Sequence, residues 1–262
     1  MTDAHCHPHD MFVKSEGSVN ILYPSVANAW NKEQIVFTEK LKKERPDIII
    51  LRSFGIHPQL ASDKLLYKEK KDEALSLLHT LPCEGRIEAV GETGFDLYDN
   101  YNKSTIDIQN ELFILHLEIA SKYNLPLVIH ARKAMEKIFY YSKKLAKIPS
   151  VVFHSWSGTL SEAETLVKKG INVWFSFGCS VVNNHKECMR SASLLPQNRL
   201  LLETDSPYQP LRGKIISSQE DLSIICEKIA NLRKLAGNKA SAKEELEQII
   251  DNNFKEAFLL CT

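Results

Sequence analysis

Four separated fragments carry side chains able to do chemistry together: Asp3-Ala4-His5-Cys6-His7, Gly91-Glu92-Thr93-Gly94, Val128-Ile129-His130 and Glu203-Thr204-Asp205. Each closes a short apolar run or lies in a strand-like segment. His5 and His7 stand two apart, so on a strand both imidazoles leave one face and Cys6 leaves the other. Alone, the pair reads equally well as solvated histidines of a polar tail. Joined by Glu92, His130, His154 and Asp205 at strand C-termini, it reads as a metal site in the mouth of a barrel.

Glu92 lies in Val90-Gly91-Glu92-Thr93-Gly94-Phe95-Asp96, where the glycines allow tight backbone geometry around an inward carboxylate. The preceding Ala89-Val90 would bury it, and its two oxygens could bridge two cations. His130 closes Leu127-Val128-Ile129, and His154 closes Val151-Val152-Phe153. A lone His after an apolar strand is more often a satisfied core residue. Arg132 changes that weighing, because at the rim it could grip an anionic oxygen bidentately. Trp156 suits lining the pocket, stacking on a base or plain packing at the rim. His57, in Gly55-Ile56-His57-Pro58, suits a substrate contact or an ordinary turn residue equally. The run Leu200-Leu201-Leu202-Glu203-Thr204-Asp205 ends in two carboxylates on one face. Asp205 lies further toward the mouth and is the expected ligand and proton acceptor; Glu203 would orient a ligand or water. His9 and Asp10 read as loop residues.

Four imidazoles and two carboxylates suit one or two borderline cations. Imidazole favours Zn, Mn, Fe or Ni, and Mg is tolerated where phosphate supplies oxygens. A two-metal arrangement would put His5, His7 and Asp205 on one ion, His130 and His154 on the other, and Glu92 between them. Such cations lower the pKa of a bound water and supply hydroxide near neutral pH. The expected target is a phosphorus or carbonyl centre, with Arg132 offsetting the growing negative charge.

These residues need a frame that brings strand ends together. Eight strand candidates occupy positions 2–5, 19–23, 48–54, 87–92, 127–130, 151–154, 172–176 and 200–203. Several are aliphatic with little polar alternation, as parallel strands buried on both faces require. Helix-like stretches lie at 32–45, 68–81, 104–123, 134–146, 161–169, 184–194, 219–235 and 241–260, with Ser161 ahead of Glu164 as a capping box. Alternating strand and helix predicts a parallel sheet with crossovers. An open sheet would spread the ligands along a line, whereas a closed (β/α)8 TIM barrel rings them around one mouth. The first connection, 8–18, is expected to lack a full helix. One domain over residues 1–262 accommodates the pattern, since no repeat or linker interrupts it.

Composition narrows the partners. Lys+Arg and Asp+Glu both total 33, so no bulk positive field is available to attract long nucleic acid. A local basic patch beside the site stays open. Six cysteines at irregular spacing, without a C-x-x-C pair, read as reduced thiols in a cytoplasmic setting. The start of the chain lacks the pattern of a signal peptide, and no apolar run approaches the ~18 residues of a membrane span. No obligate protein partner is evident.

The chain resembles the TatD-type metal-dependent hydrolases, a branch of the amidohydrolase-like barrels. The resemblance rests on Asp3–His7, Gly55-Ile56-His57-Pro58, Gly91–Asp96, Val128-Ile129-His130-Ala131-Arg132, Phe153-His154-Ser155-Trp156-Ser157-Gly158 and Glu203-Thr204-Asp205-Ser206-Pro207-Tyr208, in the family's order and nearly end to end. It implies two divalent cations (Mg, Mn or Zn) and deoxyribonuclease activity, commonly on single strands and here expected to start from an end. By position it implies His5, His7, Glu92, His130, His154 and Asp205 as metal ligands, and His57 and Arg132 as phosphate contacts. A small amide, lactone or phosphate ester is the alternative substrate, since fold does not choose it. The chain departs from the family pattern in Pro8-His9-Asp10 after His7, in Phe95, in Ser155-Trp156 and in the loop 212–218, which lacks an Asn-x-Pro element.

Overall fold

Short aliphatic runs punctuated by Gly, Pro and Asn give eight strands: β1 (Asp3–Cys6), β2 (Ser25–Ala29), β3 (Ile50–Phe54), β4 (Ala89–Asp96), β5 (Leu127–Arg132), β6 (Val151–Phe153), β7 (Val173–Phe177) and β8 (Leu200–Leu202). Helices separate them, and every neighbouring pair is parallel, in the order β1 to β8. The structure is a computed structural model and describes residues 1–238 and 242–260. β8 returns to β1 through a bridge between Cys6 and Ser206. Across this seam the Asp205 amide donates to His5 O (2.9 Å) and the His7 amide to Ser206 O (2.7 Å). Lower down, the Asp3 carboxylate replaces the missing ladder, accepting from the Thr204 amide (2.9 Å), Thr204 Oγ1 (2.8 Å) and Gln219 Nε2 (3.0 Å). The sheet is therefore a nearly closed barrel, as the alternating pattern predicts.

One side chain from each strand fills the interior: Ala4, Val26, Leu51, Ala89, Val128, Val152, Trp174 and Leu201. Phe254, Ala257 and Phe258 of the last helix join them. The outward strand residues, among them Phe54, Val90, Ile129, Phe153 and Phe175, pack under the helices through Ile35, Leu78, Phe113, Leu166 and Ile229. From the interior layer, period two carries Val128 to His130, Val152 to His154, and Leu201 to Glu203 and Asp205, all toward the mouth. Two strands need an extra residue to do the same. β1 spends three steps from Asp3 to Cys6 where β2 spends two from Ser25 to Ala27, and β4 spends three from Val90 to Thr93 against two in β5. These bulges reverse the alternation, so His5 and Glu92 follow inward Ala4 and outward Val90 into the mouth.

Several boundaries differ from the sequence reading. The second strand is Ser25–Ala29, not 19–23; the apolar run ends at Pro24, and Ile21 instead packs with Ala27, Leu41 and Ile50 below it. Ser-Val-Ala-Asn-Ala carries little β propensity, and its pairing on both sides fixes it as a strand. The first connection holds a two-turn helix, Pro8–Lys14, opened by a proline whose missing N–H costs nothing there. The capping box is Thr159 with Glu162, because the helix Leu160–Lys168 starts one residue earlier than expected. The stretch 134–146 splits into Met135–Tyr140 and Ser142–Leu145. Cys6, Cys83, Cys179, Cys188 and Cys226 are unpaired; Cys261 and Ser241 lie outside the described residues. Among the described residues no helix is long and apolar enough to cross a membrane.

Candidate metal centre

All six expected ligands converge on the mouth, with Glu92 at the centre. Its Oε2 faces His5 Nε2 at 3.2 Å and His7 Nε2 at 4.0 Å. Its Oε1 faces His154 Nε2 at 2.7 Å, His130 Nδ1 at 2.9 Å and His57 Nε2 at 3.1 Å. Asp205 Oδ1 completes the first side, 3.4 Å from His7 Nε2 and 3.7 Å from His5 Nε2. Glu92 thus turns one oxygen toward His5 and His7, which form a group with Asp205, and the other toward His57, His130 and His154; His154 also closes a group with His5 and Glu92. His7 lies one residue past β1, at the entry to the first helix.

Imidazole nitrogens also face each other directly. His5 Nε2 is 3.2 Å from His7 Nε2, and His130 Nδ1 is 3.2 Å from His154 Nε2. Donors at about 2.05 Å from a tetrahedral ion stand roughly 3.3 Å apart. The residues present therefore fit a cation on each side of Glu92.

Neighbouring groups fix which ring nitrogen carries a proton. His130 places Nε2 3.2 Å from Asp96 Oδ2 and Nδ1 2.9 Å from Glu92 Oε1, so a proton kept on Nε2 by Asp96 would free the Nδ1 lone pair for a cation. His154 turns Nδ1 toward buried Glu203, 3.6 Å away, whose Oε1 is held by the Ser155 amide at 2.6 Å. His57 differs. Its Nδ1 accepts from the Gln59 amide (3.2 Å), so Nε2 carries the proton and points it into the site. His57 is built as a hydrogen-bond donor rather than a lone-pair donor.

Electrostatics follow from this packing. Burial opposes ionisation of Glu92, but His154, His57, His5 and His130 around it outweigh burial and hold its pKa well below the usual carboxylate range. Burial likewise opposes the charge on Asp205, and His7, His154 and His5 pull its pKa down. Burial and the neighbouring His154 depress His5; burial depresses His57. His154 is buried too, yet Glu92 and Glu203 lift it well above its ordinary value. Asp96 resists burial through His130, the Tyr98 amide and Gln59, and titrates at about 2.

Backbone strain gathers at the same loops. Lys133, Ser155, Asp205 and Gln209 have φ of 53°, 46°, 54° and 48°, in the left-handed region that side chains disfavour. Gly55 is required for close approach: a Cβ there would lie 2.6 Å from the Glu92 carbonyl oxygen, in the strand-to-helix loop that carries His57. Around the donors lies an open cavity of about 1180 Å³. Arg132 lines it, exposed, with its guanidinium 3.7 Å over the Tyr98 ring and Lys133 4.5 Å from the same ring. Trp156 is 2% exposed and packs on Phe153 and Phe175, so it serves the rim's packing. His9 and Asp10 contact each other, and Asp10 accepts from Gln34 and Tyr208.

Sequence reasoning gave Asp96 no role. Its signal was available, since Glu92 and Asp96 stand four apart on one strand and so share a face. The buried His116 also went unremarked. It sits in helix Ile106–Tyr123, and its Nε2 accepts from the Ile56 amide at 2.9 Å, next to His57.

A family model described as TatD related DNase matches residues 2–259. The chain belongs to that family. A metal-dependent hydrolase of Mycoplasma genitalium, itself described as uncharacterized, is 30% identical over 98% of each chain. A 3'-5' ssDNA/RNA exonuclease TatD of Escherichia fergusonii is 29% identical over 78% of this chain and 76% of its own. The crystal structure of a TatD homologue, YJJV of Escherichia coli K12, shares the fold with TM-score 0.79 at 23% identity, covering 100% of this chain and 98% of that one. With the donor set around Glu92, membership of the TatD-related family makes this chain a metal-dependent hydrolase.

Proposed function

We propose that this TatD-family chain is a deoxyribonuclease that cleaves phosphodiester bonds from an end, with preference for single strands. One observation carries the reading: Glu92 stands between His5, His7 and Asp205 on one side and His130 and His154 on the other, with His57 and Arg132 lining the open cavity beside them. His5, His7 and Asp205 would hold one divalent cation and His130 and His154 the other, with Glu92 shared. Mg, Mn or Zn would supply an activated water and neutralise charge on the phosphoryl group.

The chain's own groups do the rest. His57 offers its Nε2 proton to a phosphoryl oxygen. Arg132, kept in place by the Tyr98 face, binds a second anionic oxygen bidentately. Asp205 accepts the proton released by the attacking water, and Glu203 and Asp96 keep His154 and His130 from rotating. The DNA reading is supported by the open cavity with Arg132, Lys133 and Tyr98 at its edge; a small amide or lactone would be better served by a closed apolar pocket. The exonuclease name of the Escherichia relative points the same way. Unpaired cysteines fit a reducing, cytoplasmic setting.

The test is release of mononucleotides from end-labelled single-stranded DNA with added Mg or Mn, with duplex DNA and RNA alongside. Mononucleotide release that depends on the cation is the expected result. Turnover of lactones or simple esters with no nucleotide released would replace this reading with the small-substrate one.

A further inference from the structure

Gln209 lies at the mouth, in the loop after β8, with a left-handed backbone (φ 48°) that turns its carboxamide back across the opening. Nε2 donates to Asp205 Oδ2 at 2.7 Å and to Ser155 Oγ at 2.9 Å. Oε1 accepts from Ser155 Oγ at 3.1 Å and from Ser180 Oγ at 3.2 Å. One side chain therefore ties together the loops that follow β6, β7 and β8.

The two oxygens of Asp205 have separate partners. Oδ1 faces His7 and His5, whereas Oδ2 is taken by the Gln209 amide. Without that amide, Oδ2 would have no partner from this loop, and the carboxylate could rotate about its last bond and present either oxygen. With it, one oxygen is committed to the mouth and the other to the wall. We propose that Gln209 is a positioning residue that holds Asp205 as a single-oxygen donor beside His5 and His7, and that Ser155 and Ser180 set the angle of its amide. This rests on the reading of Asp205 as a metal ligand.

Mn2+ titration by calorimetry tests it independently of substrate. Partners of metal ligands typically change affinity 10–100-fold when removed. Gln209→Leu should weaken one equivalent of Mn2+ about tenfold and leave the other within twofold of wild type. Gln209→Glu, which sets a carboxylate against Asp205, should weaken the same equivalent further. If either variant fails to fold, the double change Ser155→Ala with Ser180→Ala removes the struts and should weaken that same equivalent more modestly. On a chromogenic phosphodiester at saturating Mn2+, Gln209→Leu should lower kcat with KM unchanged. Wild-type affinity for both equivalents in folded Gln209→Leu and Gln209→Glu would overturn the assignment. So would wild-type protein that takes up no Mn2+. A protein that binds two Mn2+ but leaves DNA intact would end the nuclease reading alone, and the titration would still decide the role of Gln209.

Discussion

Changing Glu92 to Gln keeps the size of the side chain and removes the charge that five imidazoles surround. The expected outcome is loss of at least about 10³-fold in hydrolysis and loss of tight Mn2+ uptake, with the thermal midpoint lowered, because the buried imidazoles lose the carboxylate that compensates them. Calorimetry and a melting curve on one preparation check both halves. Activity within tenfold of wild type would remove Glu92 from the shared position. At this scale the sequence was informative because inward polar groups follow apolar runs: Val128-Ile129-His130 and Val151-Val152-Phe153-His154 each put an imidazole at the mouth end of a buried strand. Asp96 and Gln209 were not read. The face of Asp96 could be counted from Glu92, but the partners that give both residues their roles, His130 and Asp205, stand 34 and 4 residues away and show only in the fold.

Among elements, β4 is the most constrained. A Cβ at Gly94 would collide with the His130 carbonyl oxygen of β5, at a φ of 140° that side chains rarely adopt. Gly94→Ala should therefore lower stability by about 2–4 kcal/mol and widen the β4–β5 contact that aligns Glu92 with His130. Denaturant melts and Mn2+ titration would show the two effects together; a variant with wild-type midpoint and metal affinity would refute the packing argument. Helix Ile106–Tyr123 makes a second prediction through His116. Burial presses its imidazole down to about 4, although the Leu112 carbonyl favours the protonated ring. The native state thus keeps His116 neutral, while the unfolded chain takes up a proton below about 6.5. Stability is complete above about pH 6.5 and falls as pH drops toward 4, by up to about 3 kcal/mol from this group. His116→Gln should flatten that acid limb in urea melts, whereas parallel curves for variant and wild type would exclude His116 as its source. Element type was legible in the sequence because periodicity reports burial directly. The bulges in β1 and β4 were not, because an extra residue in a ladder shows only against the neighbouring strand. The place of β2 was missed for a related reason: the chain's own propensity favours the run before Pro24, and pairing with β1 and β3 overrides it.

For the whole molecule, a zero formal charge and carboxylates along the cavity set how nucleic acid would be held under the proposed function. Arg132 and Lys133 stand at the cavity edge, but Asp63, Glu136 and Glu162 line it as well. Little long-range steering is available, so affinity must come from the cations and a few close contacts. Each phosphate neutralised by a protein cation contributes a slope of about −0.7 to log K against log salt for single strands. With Arg132 and Lys133 as the basic contacts, the slope for a short single strand should be about −1.4. Fluorescence anisotropy on the catalytically inactive Glu92→Gln protein, across a salt series, measures it without cleavage. Arg132→Ala should bring the slope to about half that value, because one of two released counterions is lost. A slope steeper than about −3, unaffected by Arg132→Ala, would place the binding surface away from this mouth. Under the proposed deoxyribonuclease reading, the same balance would confine binding to the few nucleotides that reach the barrel's open end, as removal of units from a strand terminus requires.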